Sequence, residues 1–166
     1  MTVRWCVAVA GLLAAAAPLA AQGAAPVFDR LQGEWRGRGT LMGRDARFTM
    51  RWQRAGGFAL LTFGNAFADT SGRETPVLHA AAVYRTSPAP PEGVWLDSRG
   101  VRVEIRWEAT DSTLVANWTA PTETGRTTYL VRSAGDVEVI DEVLSASGWR
   151  TFGTARYRRE AGADER

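Results

Sequence analysis

The chain has 166 residues, of which 45% are hydrophobic and 23% charged, values typical of one soluble globular domain. All 20 basic residues are arginine, which excludes lysine nucleophiles and Schiff bases. Cys6 and His79 are the only cysteine and histidine, too few for a disulfide framework or a Cys/His zinc site. We therefore expect no metal and no cofactor. The net charge of +2, with interspersed signs, argues against nucleic acid as a partner.

The first 21 residues have the features of a secretory signal peptide. Arg4 supplies a positive charge, residues 6–17 form an apolar run, and small residues precede a predicted cleavage after Ala21. The apolar run is shorter than the roughly 20 residues that span a bilayer, so we expect no stable membrane anchor. The sequence thus predicts a signal peptide over 1–21 and a single domain over 22–166, in an exported protein that is periplasmic or secreted.

The rest of the chain alternates between apolar and polar residues with a period of two, which is typical of β-strands with one buried face. The clearest case is Val101, Val103, Ile105 and Trp107, which alternate with charged side chains. A short helical turn is predicted over 26–32. Turn signals divide the remaining residues into about ten strands, near 33–41, 46–54, 58–67, 76–85, 93–98, 101–108, 113–119, 126–132, 137–144 and 149–158.

Short links between consecutive strands indicate an antiparallel meander, which either splits into a sandwich or closes into a barrel. Gly37 and Gly39 lie within the first strand, where glycine tends to mark a bend or a close approach. The last strand is long enough to pair with the first and so remove both edges. These features favour an all-β, up-and-down barrel over a sandwich. The inward faces of strands 58–67, 76–85 and 149–158 stay open.

The start of the first strand resembles a known family. Residues 31–35, Leu-Gln-Gly-Glu-Trp, match the G-x-W opening of the calycins, the superfamily of lipocalins and fatty-acid-binding proteins. This resemblance implies that Gly33 and Trp35 close the barrel floor and that an arginine from the last strand covers the indole. Arg156 and Arg158 are the candidates, and Arg156 is favoured. A guanidinium suits that place because it can stack on the ring and donate to carbonyls.

Further stretches, among them 50–52, 95–100 and 125–129, are similar to a bacterial group of exported lipocalin-like proteins of unassigned function. Two departures limit the comparison. The Arg-x-Tyr pair that holds a carboxylate in fatty-acid-binding proteins is replaced by Arg156-Tyr157-Arg158. No histidine follows His79, whereas haem-binding barrels of the nitrobindin type use one near the C-terminal end.

The candidate ligand-binding residues are aromatic, charged or imidazole side chains on strands with possible inward faces. Aromatic rings offer a large apolar surface of fixed geometry, and a buried carboxylate at Asp97 would need a partner, for which Arg126 is the candidate. The small residues Ala80 to Ala82 and Ala116 leave space. The predicted ligand-binding set is Trp52, His79, Trp95, Asp97, Trp118, Arg126 and Tyr129.

Three functions are compatible with this sequence. The favoured one is an exported barrel that binds a small apolar or amphipathic molecule in its interior. The second is a barrel enzyme, an isomerase or hydrolase that uses Asp97 or His79, although no catalytic residue is assigned because so few catalytic groups are present. The third is an envelope protein whose barrel is filled by side chains and which acts through its surface.

Overall fold

The computed structural model describes residues 26–87 and 90–161, so the predicted signal peptide lies outside the described residues. No helix in this part of the chain has the length and apolar character needed to cross a bilayer. The described residues form one short helix and ten strands. These are α1 (Val27–Leu31), β1 (Gly33–Leu41), β2 (Arg44–Ala55), β3 (Phe58–Ala68), β4 (Glu74–Arg85), β5 (Glu92–Asp97), β6 (Arg102–Ala109), β7 (Thr113–Thr119), β8 (Thr124–Ser133), β9 (Asp136–Ser145) and β10 (Gly148–Arg159).

Each strand pairs in antiparallel fashion with the next along the chain, and β10 pairs with β1 to complete a closed barrel. The predicted all-β, ten-stranded, up-and-down barrel with a short N-terminal helix is therefore confirmed. β1 and β7 occupy their predicted ranges, and the other strands differ from prediction by one or two residues at an end. Closure leaves the barrel sheet with no unpaired edge strand, which removes the usual template for aggregation.

The helix α1 closes one end of the barrel. Its apolar residues Val27, Phe28 and Leu31 are fully buried, because they point into the barrel. The ring of Phe28 lies 5.1 Å from Trp107 in an edge-to-face arrangement and 6.1 Å from Trp52. Such aromatic packing adds to the free energy gained from burial. The interior at this end is thus filled by side chains.

The closing residues Gly33 and Trp35 lie at this end, but the covering arginine is Arg159 and not Arg156. The guanidinium of Arg159 lies 4.2 Å from the Trp35 ring centre and donates to the backbone oxygens of Arg30, Gln32 and Ala134. Arg156 was the wrong choice because it is exposed on the outer face of β10. Arg159 is the direct cross-strand partner of Trp35.

Gly33 has a conformational reason to be glycine. Its φ of +112° lies in a region that L-residues with side chains rarely adopt, and an added Cβ would lie 2.5 Å from the Arg159 guanidinium. The G-x-W motif and Arg159 therefore form one unit that closes the floor.

An extra residue in β10 changes which face its side chains occupy. Thr151 pairs with Glu142 and Gly153 pairs with Asp141, so Phe152 has no partner on β9. Such a β-bulge shifts the alternation by one residue. Gly153, Ala155 and Tyr157 are consequently buried, whereas Trp149 and Thr151, which would share their face in a strand without the bulge, are exposed on the outside.

Candidate functional site

A cavity of about 340 Å³ occupies the half of the barrel that lies away from α1. Its residues come from most of the strands and from the turns that join them at the open end, including Met42, Arg99 and Glu123. The volume lies near the lower end of the ~300–1,000 Å³ typical of small-molecule sites. The apolar part of the wall is made chiefly of Phe48, Phe63, Phe67, Trp95, Val103, Ile105, Trp118, Val139, Val143 and Phe152.

Four of the seven predicted ligand-binding residues line this cavity: Trp95, Asp97, Trp118 and Tyr129. Trp95 packs against Phe63 with ring centres 5.7 Å apart. Trp118 lies over Gly125 of the paired strand, where an added Cβ would approach the indole within about 2 Å. The absence of a side chain at Gly125 thus makes room for the indole beside the cavity.

Asp97 organises the turn between β5 and β6 at the open end. Its carboxylate accepts hydrogen bonds from the Arg99 side chain at 2.6 Å and from the backbone N–H groups of Arg99 and Val101 at 2.9 and 3.3 Å. Burial raises the pKa of this carboxyl, but the hydrogen bonds from Arg99, Trp95 and the backbone outweigh that effect, so the pKa lies below its ordinary value. The predicted partner Arg126 is therefore wrong, because the partner of Asp97 is Arg99.

The other three predicted residues do not reach the cavity. Trp52 is fully buried in the packed end, 5.2 Å from the Tyr84 ring and 5.4 Å from the Tyr129 ring. Arg126 points outward from β8, where it bonds Glu142 at 2.7 Å and stacks 4.3 Å from the Trp149 ring centre.

His79 is exposed on the outer face of β4. It lies beside Gly64 of β3, to which it is paired. Its neighbours in sequence, Leu78 and Ala80, are both more buried than His79 itself, and Leu78 lines the cavity. The imidazole therefore lies outside the cavity.

Sequence reasoning missed the carboxyl of Asp141, which lines the cavity. Thr127 on β8 donates a hydrogen bond of 2.7 Å to its Oδ1. Burial raises the pKa of Asp141 to about 6, opposed only by the bond from Thr127. A signal for this placement was present, because Asp141 continues the alternation of Val137 and Val139, both buried.

Three buried tyrosines form a polar layer below the cavity: Tyr84, Tyr129 and Tyr157. Burial raises the pKa of each, and the charge of Asp141 adds to the effect. Their hydroxyls therefore stay protonated at neutral pH and are available as hydrogen-bond donors. Gly37 makes room for this layer, because an added Cβ would lie 2.8 Å from the Tyr157 ring.

Among residues 26–87 and 90–161, no group of three or more His, Cys, Asp or Glu side chains is placed to hold a metal ion. The ionisable groups of the cavity instead fall into two sets. Asp97, Arg99, Glu123 and Arg150 lie toward its open end, and Asp141 lies with the tyrosines deeper in the barrel.

Comparison with known proteins supports the barrel fold. No protein-family model matches the sequence, and no curated protein matches it. Among solved structures, the S-type phycobiliprotein lyase CPES from Guillardia theta aligns with a TM-score of 0.54 and 9% identity, over 81% of this chain and 91% of that one. The chain therefore shares the β-barrel fold of that lyase.

Two further structures align with lower TM-scores. EF1p2_mFAP2b, solved with DFHBI bound, has a TM-score of 0.48 and 13% identity, over 83% of this chain and all of that one. A de novo designed fluorescence-activating β-barrel has a TM-score of 0.43 and 20% identity, over 81% of this chain and 98% of that one.

Proposed function

We propose that this protein is an exported binding protein that holds one small, largely apolar or amphipathic molecule inside its barrel. The observation that carries the proposal is the cavity of about 340 Å³, which is walled by aromatic and aliphatic side chains and lies at the open end. Apolar walls with a few convergent polar groups are typical of small-molecule sites.

The alternatives considered from the sequence fit the geometry less well. A barrel filled by side chains does not agree with a cavity of this size. An enzyme based on His79 would need that side chain inside the barrel, whereas it is exposed outside. An enzyme based on Asp97 would need a carboxylate with spare hydrogen-bonding capacity, whereas Asp97 is held by Arg99 and two backbone N–H groups.

The binding proposal is tested by filling the cavity from one wall. Ala116 lies on the inner face of β7 and lines the cavity, so Ala116→Phe should place a ring in the space. We expect naphthalene-methanol, a neutral aromatic probe, to quench tryptophan emission saturably in the wild type and at least about tenfold more weakly in the variant. Ala81→Phe is the matched control, because Ala81 is exposed on the outer face of β4.

Two results would contradict the proposal. One is an absence of saturable binding in the wild type. The other is equal binding of the probe by Ala116→Phe and Ala81→Phe when thermal unfolding shows that both variants are folded. Export is tested separately by N-terminal sequencing of protein recovered outside the cytoplasm, which should begin near Gln22.

A further inference from the structure

The cavity contains a carboxylate that the described residues leave largely unpaired. Asp141 accepts a hydrogen bond from Thr127 at Oδ1, and no ion pair to Asp141 is found within residues 26–87 and 90–161. A carboxylate has room for about four hydrogen bonds. An enclosed charge without a partner is costly, and here it faces the space that we propose to hold a ligand.

A second acceptor lies on another part of the same wall. Asn65 on β3 is nine-tenths buried and lines the cavity. Its Oδ1 is buried and has no hydrogen-bond partner among the described residues. Unsatisfied buried acceptors are uncommon in native proteins. Asn65 and Asp141 thus both lack donors, and a ligand could supply them.

The surroundings of Asp141 supply no cation close to it. The strands packed on either side contribute Thr127 and Tyr129 from β8, and Gly153 and Tyr157 from β10. Tyr84, from β4, lies near enough, like Tyr129 and Tyr157, for the charge of Asp141 to raise the pKa of its phenol. The charged groups that share the cavity are Asp97, Arg99, Glu123 and Arg150.

These arginines belong to the open end of the cavity. Arg99 is engaged by Asp97, and Arg150 is exposed near the start of β10, above the bulge. Neither contributes to the pKa of the Asp141 carboxyl, which is set by burial and by Thr127. The deep part of the cavity is therefore electrostatically negative once Asp141 ionises.

We propose that Asp141 is the anchoring residue of the site and that the ligand is a flat apolar molecule bearing a protonated amine or another cationic N–H group. The inference rests on the proposed binding function and adds the ligand class. The amine would donate to Asp141, while the ring system packs against the aromatic wall that includes Trp95 and Trp118. Aromatic faces also favour an adjacent cation.

Three naphthalene probes with the same ring test the ligand class in the full chain. Naphthalene-methylamine carries a positive charge, naphthalene-methanol is neutral and naphthoate is negative. At about pH 7.5 we expect the amine to bind about ten- to a hundredfold more tightly than the alcohol, as for a hydrogen bond between charged groups. Naphthoate should bind most weakly.

Asp141→Asn should remove most of that preference, so that the affinities of the amine and the alcohol for the variant differ by no more than about threefold. Glu142→Gln is the matched control, since Glu142 is the next residue on β9 but bonds Arg126 on the outside of the barrel. This control should keep the full preference. Thermal unfolding of each variant shows whether it is folded.

The wild type offers a second test that needs no substitution. Affinity for the amine should rise as the pH increases from about 5 to about 7.5, because Asp141 ionises over that range, whereas affinity for the alcohol should stay constant. Equal binding of amine and alcohol would overturn the assignment of Asp141 and leave the binding function standing. Preference for naphthoate would overturn it in favour of the arginines at the open end. Binding of no probe would overturn both proposals.

Discussion

The two ends of the barrel are built from the same alternating strands, but side chains fill the interior at one end and line a cavity at the other. At the closed end, Phe28 and Trp52 pack in contact with further aromatic rings, and Arg159 ties the floor to three backbone oxygens. At the open end, Trp95 and Trp118 line the cavity. The contrast shows that a tryptophan on an inward face can be part of a packed core or of a cavity wall. Which of the two it is depends on whether other side chains fill the barrel next to it.

The largest effect is expected where the packing is densest. Trp35→Ala should reduce the free energy of unfolding by about 3–5 kcal/mol, because it removes a large ring that is 1% exposed. Arg159→Ala should cost less, and largely through the same contact. Chemical denaturation of both single variants and the double variant should show coupling between the sites.

Arg156→Ala is the control for this pair, because Arg156 lies on the outer face of the same strand. It should change stability by less than about 0.5 kcal/mol, as for most surface substitutions. Strict additivity of Trp35→Ala and Arg159→Ala would show that the stacked guanidinium does not stabilise the floor.

An effect of opposite sign on stability is expected from Asp141 in the wall of the cavity. The pKa of Asp141 is about 6 in the folded protein, above the ~3.9 of an unfolded chain. The folded state therefore holds this proton more tightly, so the contribution of Asp141 to stability is greatest below about pH 4 and is lost as the pH rises through about 6. Asp141→Asn should remove this loss and stabilise the protein at pH 7.5 by up to about 3 kcal/mol.

Urea denaturation at several pH values measures this difference. The gain from Asp141→Asn should shrink toward about pH 4, where the wild-type carboxyl is protonated in the folded state. A variant that is less stable than wild type at neutral pH would mean that the carboxylate is stabilised where it lies. The stability gained by Asp141→Asn equals the stability that the wild type loses by keeping a buried carboxylate. Functional sites commonly reduce stability in this way.

The smallest effect on stability is expected from a residue on the outside of the barrel, Arg126. Arg126→Ala should reduce the free energy of unfolding by no more than about 1 kcal/mol, since its ion pair with Glu142 is partly exposed. It should not change the affinity for naphthalene-methanol or naphthalene-methylamine, because the side chain stacks on Trp149 outside the barrel. Weakened binding measured by tryptophan quenching would show that Arg126 reaches the cavity.

The fold was predictable from the sequence because most strands have one polar face, as in 101–108. The site was predictable only in part. Both faces of the segment around His79 are apolar, from Val77 to Val83, so alternation could not show which face points inward. In contrast, Arg126 and Tyr129 are three residues apart and must lie on opposite faces of one strand; the alternation itself excluded Arg126 once Tyr129 was placed inside.

Arg159 and Asp141 were predictable in a similar way. Arg159 continues the inward series of Ala155 and Tyr157, and Asp141 continues that of Val137 and Val139. The bulge at Phe152 was not predictable, because one glycine beside it, Gly153, is compatible with several local structures, and the bulge depends on how β10 fits β9. The cavity volume likewise depends on the packing of many side chains at once.

The bulge at Phe152 has a consequence for how such a barrel can acquire a new specificity. The extra residue shifts the alternation of β10, so each side chain between the bulge and the open end lies on the face opposite to the one it would otherwise occupy. As a result, Arg150 borders the cavity and Trp149 does not. Deleting one residue there would bring an indole inside and send a guanidinium out, while the pairing of Arg159 with Trp35 at the other end of the strand stays as it is. A one-residue insertion or deletion can therefore change, in a single genetic event, which side chains line the open end of the cavity. The closed floor of the barrel stays as it is.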